Sequence, residues 1–197
     1  MLSGIVLSFN ERINEYQDAE YNFEYMETAI LRKYAKMGNV KAQNTLGDRF
    51  FYGDTVDINY EEAAKYYKKA AYAGYDVAMY NIGDMYYYGY GIDKDYMKAA
   101  VWYIKAAEMG NSEAQCNLGY MYERGMGVIK SYKKAVYWYK KAAELDYPYA
   151  QYNLAEMYYN GKGINKSINT AWSWYRKSAA NGLEKGIAAL KEKFNVK

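Results

Sequence analysis

The chain has 197 residues, of which 51% are apolar, so it can bury a core and is not disordered by composition. Its formal net charge of +3 is too small to demand an anionic partner. The absence of histidine removes the commonest general base and metal ligand, and a single cysteine allows no intrachain disulfide. Composition therefore predicts no metal and no cofactor, and it favours a binding protein over an enzyme.

The first residues of the chain do not resemble a targeting segment. Residues 1–10 lack the basic region and the cleavage site of a signal peptide, so we expect a cytoplasmic protein, although a chain already trimmed of a leader would look the same. No apolar run reaches the roughly 18–20 residues that span a bilayer, which predicts no membrane insertion. A helix from about Glu11 is predicted, with residues 1–22 as an N-terminal cap and residues 1–41 as this cap plus a half-repeat.

Four segments with one pattern follow at a spacing of 36 residues, namely 42–77, 78–113, 114–149 and 150–185. The period is visible in the pairs Tyr66-Tyr67, Trp102-Tyr103, Trp138-Tyr139 and Trp174-Tyr175. A fixed period of this length indicates a repeat protein, in which no unit can bury its apolar face alone and each must stack on its neighbours. Residues 186–197 are predicted as a C-terminal capping helix, and residues 1–197 as a single repeat domain.

Each segment is predicted to form two helices. In the segment 78–113, Ala78, Ile82 and Met85 recur at i, i+4 and i+7, which is the inward stripe of a first helix. Gly89 supplies the left-handed residue that ends this helix, and Asp95 is placed to cap the second. The same capping position in the other repeats holds Asn59, Ser131 and Ser167.

The recurring residues resemble a known family. The order Ala, Leu-Gly, Met-Tyr, Gly-x-Gly, Lys-Ala, Trp-Tyr and Lys-Ala-Ala-Glu, clearest between Ala114 and Glu144, is similar to the Sel1-like repeat, a relative of the tetratricopeptide repeat. The resemblance implies an all-α fold, a right-handed α-α superhelix or solenoid of about five stacked helix-turn-helix repeats. It also implies an adaptor in complex assembly, signalling or host–bacterium contact, or an immunity partner that neutralises a toxin. Cys116 alone does not fit the cysteine-rich secreted branch of this family.

The outward side of the first helices is the predicted partner-binding site. In helical-hairpin solenoids the first helices line the concave surface, and tyrosine is enriched at interfaces because it buries much area at low entropic cost. We therefore expect a groove rich in tyrosine and carboxylate that binds a protein or peptide. Its residues are Tyr80, Asp84, Tyr87, Tyr120, Glu123, Tyr152, Glu156 and Tyr159. The alternative is that these tyrosines merely pack against one another.

Two further patterns are interpreted as structural. Basic pairs such as Lys133-Lys134 and Lys140-Lys141 could suggest nucleic acid, but glutamates interrupt them and solvated lysines on a convex face are the ordinary outcome, so no nucleic-acid partner is expected. A ladder of asparagines at one repeat position is predicted to bond backbone groups of the adjoining turn. Its members are Asn81, Asn117 and Asn153.

No catalytic residues are assigned. The Gly-x-Gly turns follow helices instead of strands, so they are predicted to be helix stops and not phosphate loops. Cys116 has no histidine to activate it and is expected on the groove wall as an inert or mildly reactive thiol. The leading hypothesis is a non-catalytic scaffold, with an immunity or regulatory partner of a bacterial toxin as the alternative. A hydrolase-like enzyme is the second alternative, and the missing histidines argue against it.

Overall fold

A computed structural model describes residues 22–195 of the chain. This range contains ten α-helices and no β-strand, which confirms the predicted all-α class, and each helix in it is too short or too polar to cross a membrane. The predicted helix from about Glu11 falls in residues 1–21, outside the described range. After a 3-10 turn at Phe23–Tyr25, the helices are α1 (Thr28–Lys36), α2 (Val40–Tyr52), α3 (Tyr60–Tyr72), α4 (Asp76–Tyr88), α5 (Tyr96–Glu108), α6 (Ser112–Arg124), α7 (Tyr132–Glu144), α8 (Pro148–Asn160), α9 (Ile168–Ala180) and α10 (Glu184–Phe194).

The described residues fall into two compact units that divide between Tyr75 and Asp76. In the first unit, α1 packs on α2 and α2 on α3; in the second, each helix from α4 to α9 packs on the one that follows. The first helices of the four repeats are α2, α4, α6 and α8. They begin two residues ahead of the predicted repeat boundaries and keep the spacing of 36 residues.

The predicted caps explain where the helices begin. The side chains of Asn59, Asp95, Ser131 and Ser167 each accept a hydrogen bond from a first-turn N–H of a second helix, as predicted. Asn111 does the same for α6, accepting from the N–H of Ala114 at 2.9 Å. At two turn positions where other repeats have glycine, Thr55 and Asp146 adopt left-handed φ angles of 62° and 58°. The chain therefore keeps the turn geometry without the glycine.

The core of the second unit is built from residues of neighbouring repeats. Ala78, Ile82 and Met85 are fully buried, which confirms the predicted inward stripe. One cluster joins residues of α6, α7 and α8, including Tyr139, and this confirms that repeats stack on one another within this unit. Cys116 belongs to the same cluster. Its predicted place on the groove wall is wrong, because its position on α6 turns the thiol toward α8 of the next repeat.

Buried glutamines also connect successive helical pairs, a role that sequence analysis missed. Gln43, Gln115 and Gln151 each donate from Nε2 to a carbonyl oxygen near the end of the preceding helix, at 3.0, 3.0 and 3.2 Å. The recurring Ala-Gln dipeptide in three of the four repeats was the available signal. The same carbonyls also accept from the backbone N–H of Gly38, Gly110 or Asp146, so each glutamine adds a second hydrogen bond at a helix end.

The second glycine of the Gly-x-Gly turns in repeats three and four lies against the preceding repeat. A Cβ atom added to Gly127, whose φ is 66°, would lie 2.1 Å from the carbonyl oxygen of Tyr96 at the start of α5. A Cβ atom on Gly163 would lie 2.5 Å from the carbonyl oxygen of Tyr132 at the start of α7. These turns therefore stop a helix, as predicted, and also form a close backbone contact between repeats.

The substitution Gly127→Ala tests this contact. We expect it to lower the free energy of unfolding through both left-handed strain and collision with Tyr96, because backbone atoms cannot move aside as a flexible side chain can. The matched control is Gly110→Ala, where φ is 99° and no atom lies within 4 Å of the added Cβ, so strain acts alone and costs about 1–2 kcal/mol. Thermal and urea unfolding should place Gly127→Ala roughly 1–3 kcal/mol below that control. Equal stability of the two variants would contradict the contact.

Candidate functional site

The eight predicted site residues all lie on first helices of the second unit. Helix α4 carries Tyr80, Asp84 and Tyr87, α6 carries Tyr120 and Glu123, and α8 carries Tyr152, Glu156 and Tyr159. We call this set the first-helix face. Seven of its members are half-buried, and the Tyr120 side chain is the most open, with 38% of its surface exposed. The face is therefore accessible but not fully solvated.

The carboxylates of this face are hydrogen-bonded to buried tyrosines of the second helices. Tyr103 donates to Asp84 Oδ1, Tyr139 donates to Glu123 Oε2 at 3.0 Å, and Tyr175 donates to Glu156 Oε1. A buried hydroxyl without an acceptor would cost about 1–3 kcal/mol, so these bonds serve the fold. The acids predicted as partner ligands thus also have an intramolecular role that the sequence did not reveal.

Asp84 and Glu156 lie in opposite electrostatic settings. Burial raises the pKa of Asp84 above its ordinary value, and hydrogen bonds from Tyr103, Tyr80 and Asn117 offset this only in part. Burial also acts to raise the pKa of Glu156, but hydrogen bonds from Lys193 and Tyr175 outweigh it and the pKa is lowered. The protein environment therefore disfavours the ionised form of Asp84 and favours the ionised form of Glu156.

A gap of about 250 Å³ lies between α6 and α8. It brings together four of the predicted residues, Tyr120, Glu123, Tyr152 and Glu156. Its remaining lining residues are Arg124, Asn153, Met157, Asn160 and Lys162. The α4 residues and Tyr159 do not line this gap, which lies on repeats three and four.

The two parts of the face that lie away from the gap are packed by aromatic rings. The ring of Tyr87 meets those of Tyr88 and Tyr96 at 4.8 and 5.2 Å between centroids, and burial raises the pKa of Tyr87 to about 12. The ring of Tyr159 lies 6.2 Å from that of Phe194 on α10. The contacts of Tyr87 are those of the alternative prediction, tyrosines packing on one another, whereas Tyr159 packs on a phenylalanine.

Lys193 was missed as part of this face. Its ammonium lies 2.6 Å from Glu156 Oε1 and 4.3 Å from the centre of the Tyr159 ring. The available signal was the repeat period, which places Lys193 at the position of Met85, Met121 and Met157. All three of those methionines are buried, so a side chain at this position was bound to turn inward.

The prediction for the asparagine ladder is wrong at two of its members. Asn117 Nδ2 donates to Asp84 Oδ1 at 3.3 Å, and Asn153 Nδ2 lies 3.7 Å from Cys116 Sγ. Both asparagines therefore bond side chains of the preceding repeat, because they face the previous first helix and not the adjoining turn. The ladder links repeats through side chains.

The chemistry that this face can perform is hydrogen bonding and packing. Burial raises the pKa of the Cys116 thiol to about 12, so the thiol stays protonated and inert at neutral pH. Across residues 22–195 no group of three or more histidine, cysteine, aspartate or glutamate side chains is placed to hold a metal ion.

The opposite pKa shifts of Asp84 and Glu156 predict opposite responses of stability to acid. Protonating Asp84 relieves its buried charge, so the stability of the wild type relative to Asp84→Asn should rise as the pH falls from 7 toward the ordinary pKa of 3.8. The stability that ionised Glu156 contributes is present above its ordinary pKa of 4.5 and is lost as the pH falls below it. The free energy of unfolding by which the wild type exceeds Glu156→Gln should therefore shrink as the pH falls. Urea unfolding of the three proteins from pH 7 to below the ordinary pKa of both acids measures both trends, and trends of equal sign would contradict the assignment.

Comparison with known proteins identifies the repeats. The Sel1 repeat model matches residues 40–75, 76–111, 112–147 and 148–183, which coincide with the four helical pairs. A search of curated proteins finds no significant match. The matched repeats begin two residues before the boundaries predicted from the sequence, at the same spacing.

Solved structures show the same fold. The chain is 33% identical to a protective antigen of uropathogenic Escherichia coli strains that displays an SLR fold, with a TM-score of 0.81 over 85% of this chain and 37% of that one. It is 36% identical to a Sel1 repeat protein from Oxalobacter formigenes, with a TM-score of 0.76 over 83% of this chain and 64% of that one. It thus spans less than two thirds of either relative.

A third structure is similar in fold alone. An immunity protein from Pseudomonas aeruginosa is 23% identical, with a TM-score of 0.56 over 84% of this chain and 61% of that one. The four repeat matches cover most of residues 22–195 and agree with the helical pairs of the structure. On these grounds the chain belongs to the Sel1 repeat family.

Proposed function

We propose that this chain is a non-catalytic scaffold that binds a protein or peptide partner on its first-helix face. Sel1 repeat proteins generally mediate protein–protein interactions and are typically non-catalytic. The observation that carries the proposal is the open gap between α6 and α8, which is lined by tyrosines, carboxylates and amides. Such a mixture offers apolar area together with directional hydrogen bonds, as interfaces do.

Tyr120 is the residue best placed to anchor a partner. Its side chain is the most exposed of the face, and its ring borders the gap. A tyrosine contributes a large rigid surface and a hydroxyl that can hydrogen-bond, which is why this residue type is common among binding hot spots. Partner binding would bury the open edge of this ring.

The basic residues of the second helices support a protein partner over nucleic acid. Lys105 lies over the ring of Trp102 at 4.4 Å from its centre, and Lys177 lies over Trp174 at 4.5 Å. These are i, i+3 pairs within one helix, in which the cation is held by its own aromatic neighbour. The lysines thus have a local role that needs no polyanion.

A photo-crosslinking experiment with a pull-down tests the proposal. A benzophenone amino acid at position 120 should crosslink a discrete partner in the source cells, and Tyr120→Ala should reduce capture of that partner about tenfold or more. The matched control is Tyr137, which is exposed on second helix α7 and, like Tyr120, has a basic side chain over its ring. Equal capture by Tyr120→Ala and Tyr137→Ala would refute binding on the first-helix face.

An immunity function is the second candidate, and the observation that favours it is the fold likeness to the Pseudomonas aeruginosa immunity protein. If it is correct, co-expression of this chain should restore growth to cells that express a toxin encoded beside its gene. A toxin that kills equally with and without the chain would remove this candidate and leave the scaffold proposal intact.

A further inference from the structure

Repeat three differs from its neighbours in the order of one acid and one tyrosine. Asp84 in repeat two and Glu156 in repeat four occupy the same repeat position, which in repeat three is Tyr120. The acid of repeat three, Glu123, comes about one turn later, where the neighbouring repeats have tyrosine. The buried hydroxyl of Tyr139 donates to the acid at this changed position, Glu123, at 3.0 Å.

This exchange weakens the polar link to the next first helix. Asn117 of repeat three donates to the carboxylate of Asp84. For the equivalent Asn153 of repeat four, the corresponding residue of the preceding repeat is Tyr120, which has no carboxylate. The Asn153 amide instead lies 3.7 Å from Cys116 Sγ, and sulfur is a weak acceptor. The gap of about 250 Å³ lies at this position, with Asn153 and Glu123 in its lining.

Glu123 has acceptor capacity that the fold does not use. In the described part of the chain it accepts one hydrogen bond, from Tyr139, and forms no ion pair. An ionised carboxylate has about four lone-pair sites, so most of the acceptor capacity of Glu123 is unused, and its side chain lines the gap. Asp84, in contrast, accepts from Tyr80, Tyr103 and Asn117.

Repeat four shows how this protein binds an ammonium group. Lys193 Nζ lies 2.6 Å from Glu156 Oε1, and it lies 4.3 and 5.4 Å from the ring centres of Tyr159 and Tyr175. A carboxylate together with aromatic faces is a favourable environment for a cation, especially where it is partly shielded from water. The gap at repeat three contains the same components, namely Glu123 with Tyr120 and Tyr152, without an ammonium in ion-pair contact with Glu123.

We propose that the gap between α6 and α8 binds a lysine side chain of the partner, with the ammonium on Glu123 and Tyr152 beside it. This inference rests on the proposed scaffold function and names the chemistry of the partner. Arg124 and Lys162 also line the gap, and their charged ends lie over the rings of Tyr120 and Tyr132. The second acid of the gap, Glu156, is already paired with Lys193, so Glu123 is the acid left to take a cation. Because Arg124, Lys162 and Lys193 repel any further positive charge, the partner segment has one lysine flanked by uncharged residues.

An NMR titration with defined peptides tests this assignment. The probe is the capped peptide Ala-Ala-Lys-Ala-Ala, and the comparison peptide replaces lysine by norleucine, which keeps the aliphatic chain and removes the charge. We expect saturable shifts of α6 and α8 amide signals with the lysine peptide, and binding about tenfold weaker or more with norleucine.

The variant Glu123→Gln should show the same loss with the lysine peptide, because its amide oxygen still accepts from Tyr139 while the charge is removed. Glu108→Gln, at an exposed position on α5 outside the gap, is the matched control and should bind like the wild type. An unchanged melting temperature of Glu123→Gln confirms that folding is intact. If the melting temperature is lowered, the comparison of the lysine and norleucine peptides with the wild type decides the assignment.

Three outcomes would overturn the inference: equal shifts with lysine and norleucine, wild-type affinity in folded Glu123→Gln, or stronger binding of a peptide with three consecutive lysines. Each is distinct from failure of the proposed function. If the crosslink at position 120 and the effect of Tyr120→Ala persist while the lysine peptide does not bind, the face is a partner surface and the lysine assignment alone is wrong.

Discussion

The structure depends on one buried tyrosine in each second helix. Tyr103, Tyr139 and Tyr175 have no exposed surface, and each ring packs on the first helix of its own repeat while its hydroxyl bonds a carboxylate of that helix. In repeats two and three the ring packs on a glycine, where an added Cβ would lie 2.7 or 2.6 Å from ring carbons. Because a buried hydroxyl needs an acceptor, the small residue, the tyrosine and the acid act together. The acids of the first-helix face are therefore a product of core packing.

The same repeat position can hold an apolar or a cationic side chain, depending on the groups that surround it. Met85, Met121 and Met157 are buried at one position of the middle repeats, whereas α2 has Arg49 and α10 has Lys193 there. Arg49 is also buried, and it donates to Thr28 Oγ1 at 2.6 Å and to the carbonyl oxygen of Glu24 at 3.1 Å. Lys193 pairs with Glu156. A cation is tolerated inside because carbonyl and carboxylate oxygens take the place of water.

Function in this chain is best sought where the repeat pattern is broken. The regular positions, such as the inward stripe and the second-helix tyrosines, are used by packing within and between repeats. The exchange of acid and tyrosine at repeat three leaves Glu123 with one hydrogen bond and lies beside an open gap. The binding proposal thus follows from a local departure in a fold whose other polar groups are largely satisfied.

The sequence alone determined the period, because it is read by comparing segments along the chain. It also determined the two helices of each repeat, their caps and the inward stripe of Ala78, Ile82 and Met85, because each of these depends on residues within one or two helical turns. The tertiary structure decided which acid accepts from which tyrosine, that Lys193 turns inward to Glu156, that Cys116 is buried, and where the gap opens. These features join residues 16 to 37 positions apart on different helices. Their pairing is set by the register and separation of packed helices, which a local pattern does not encode.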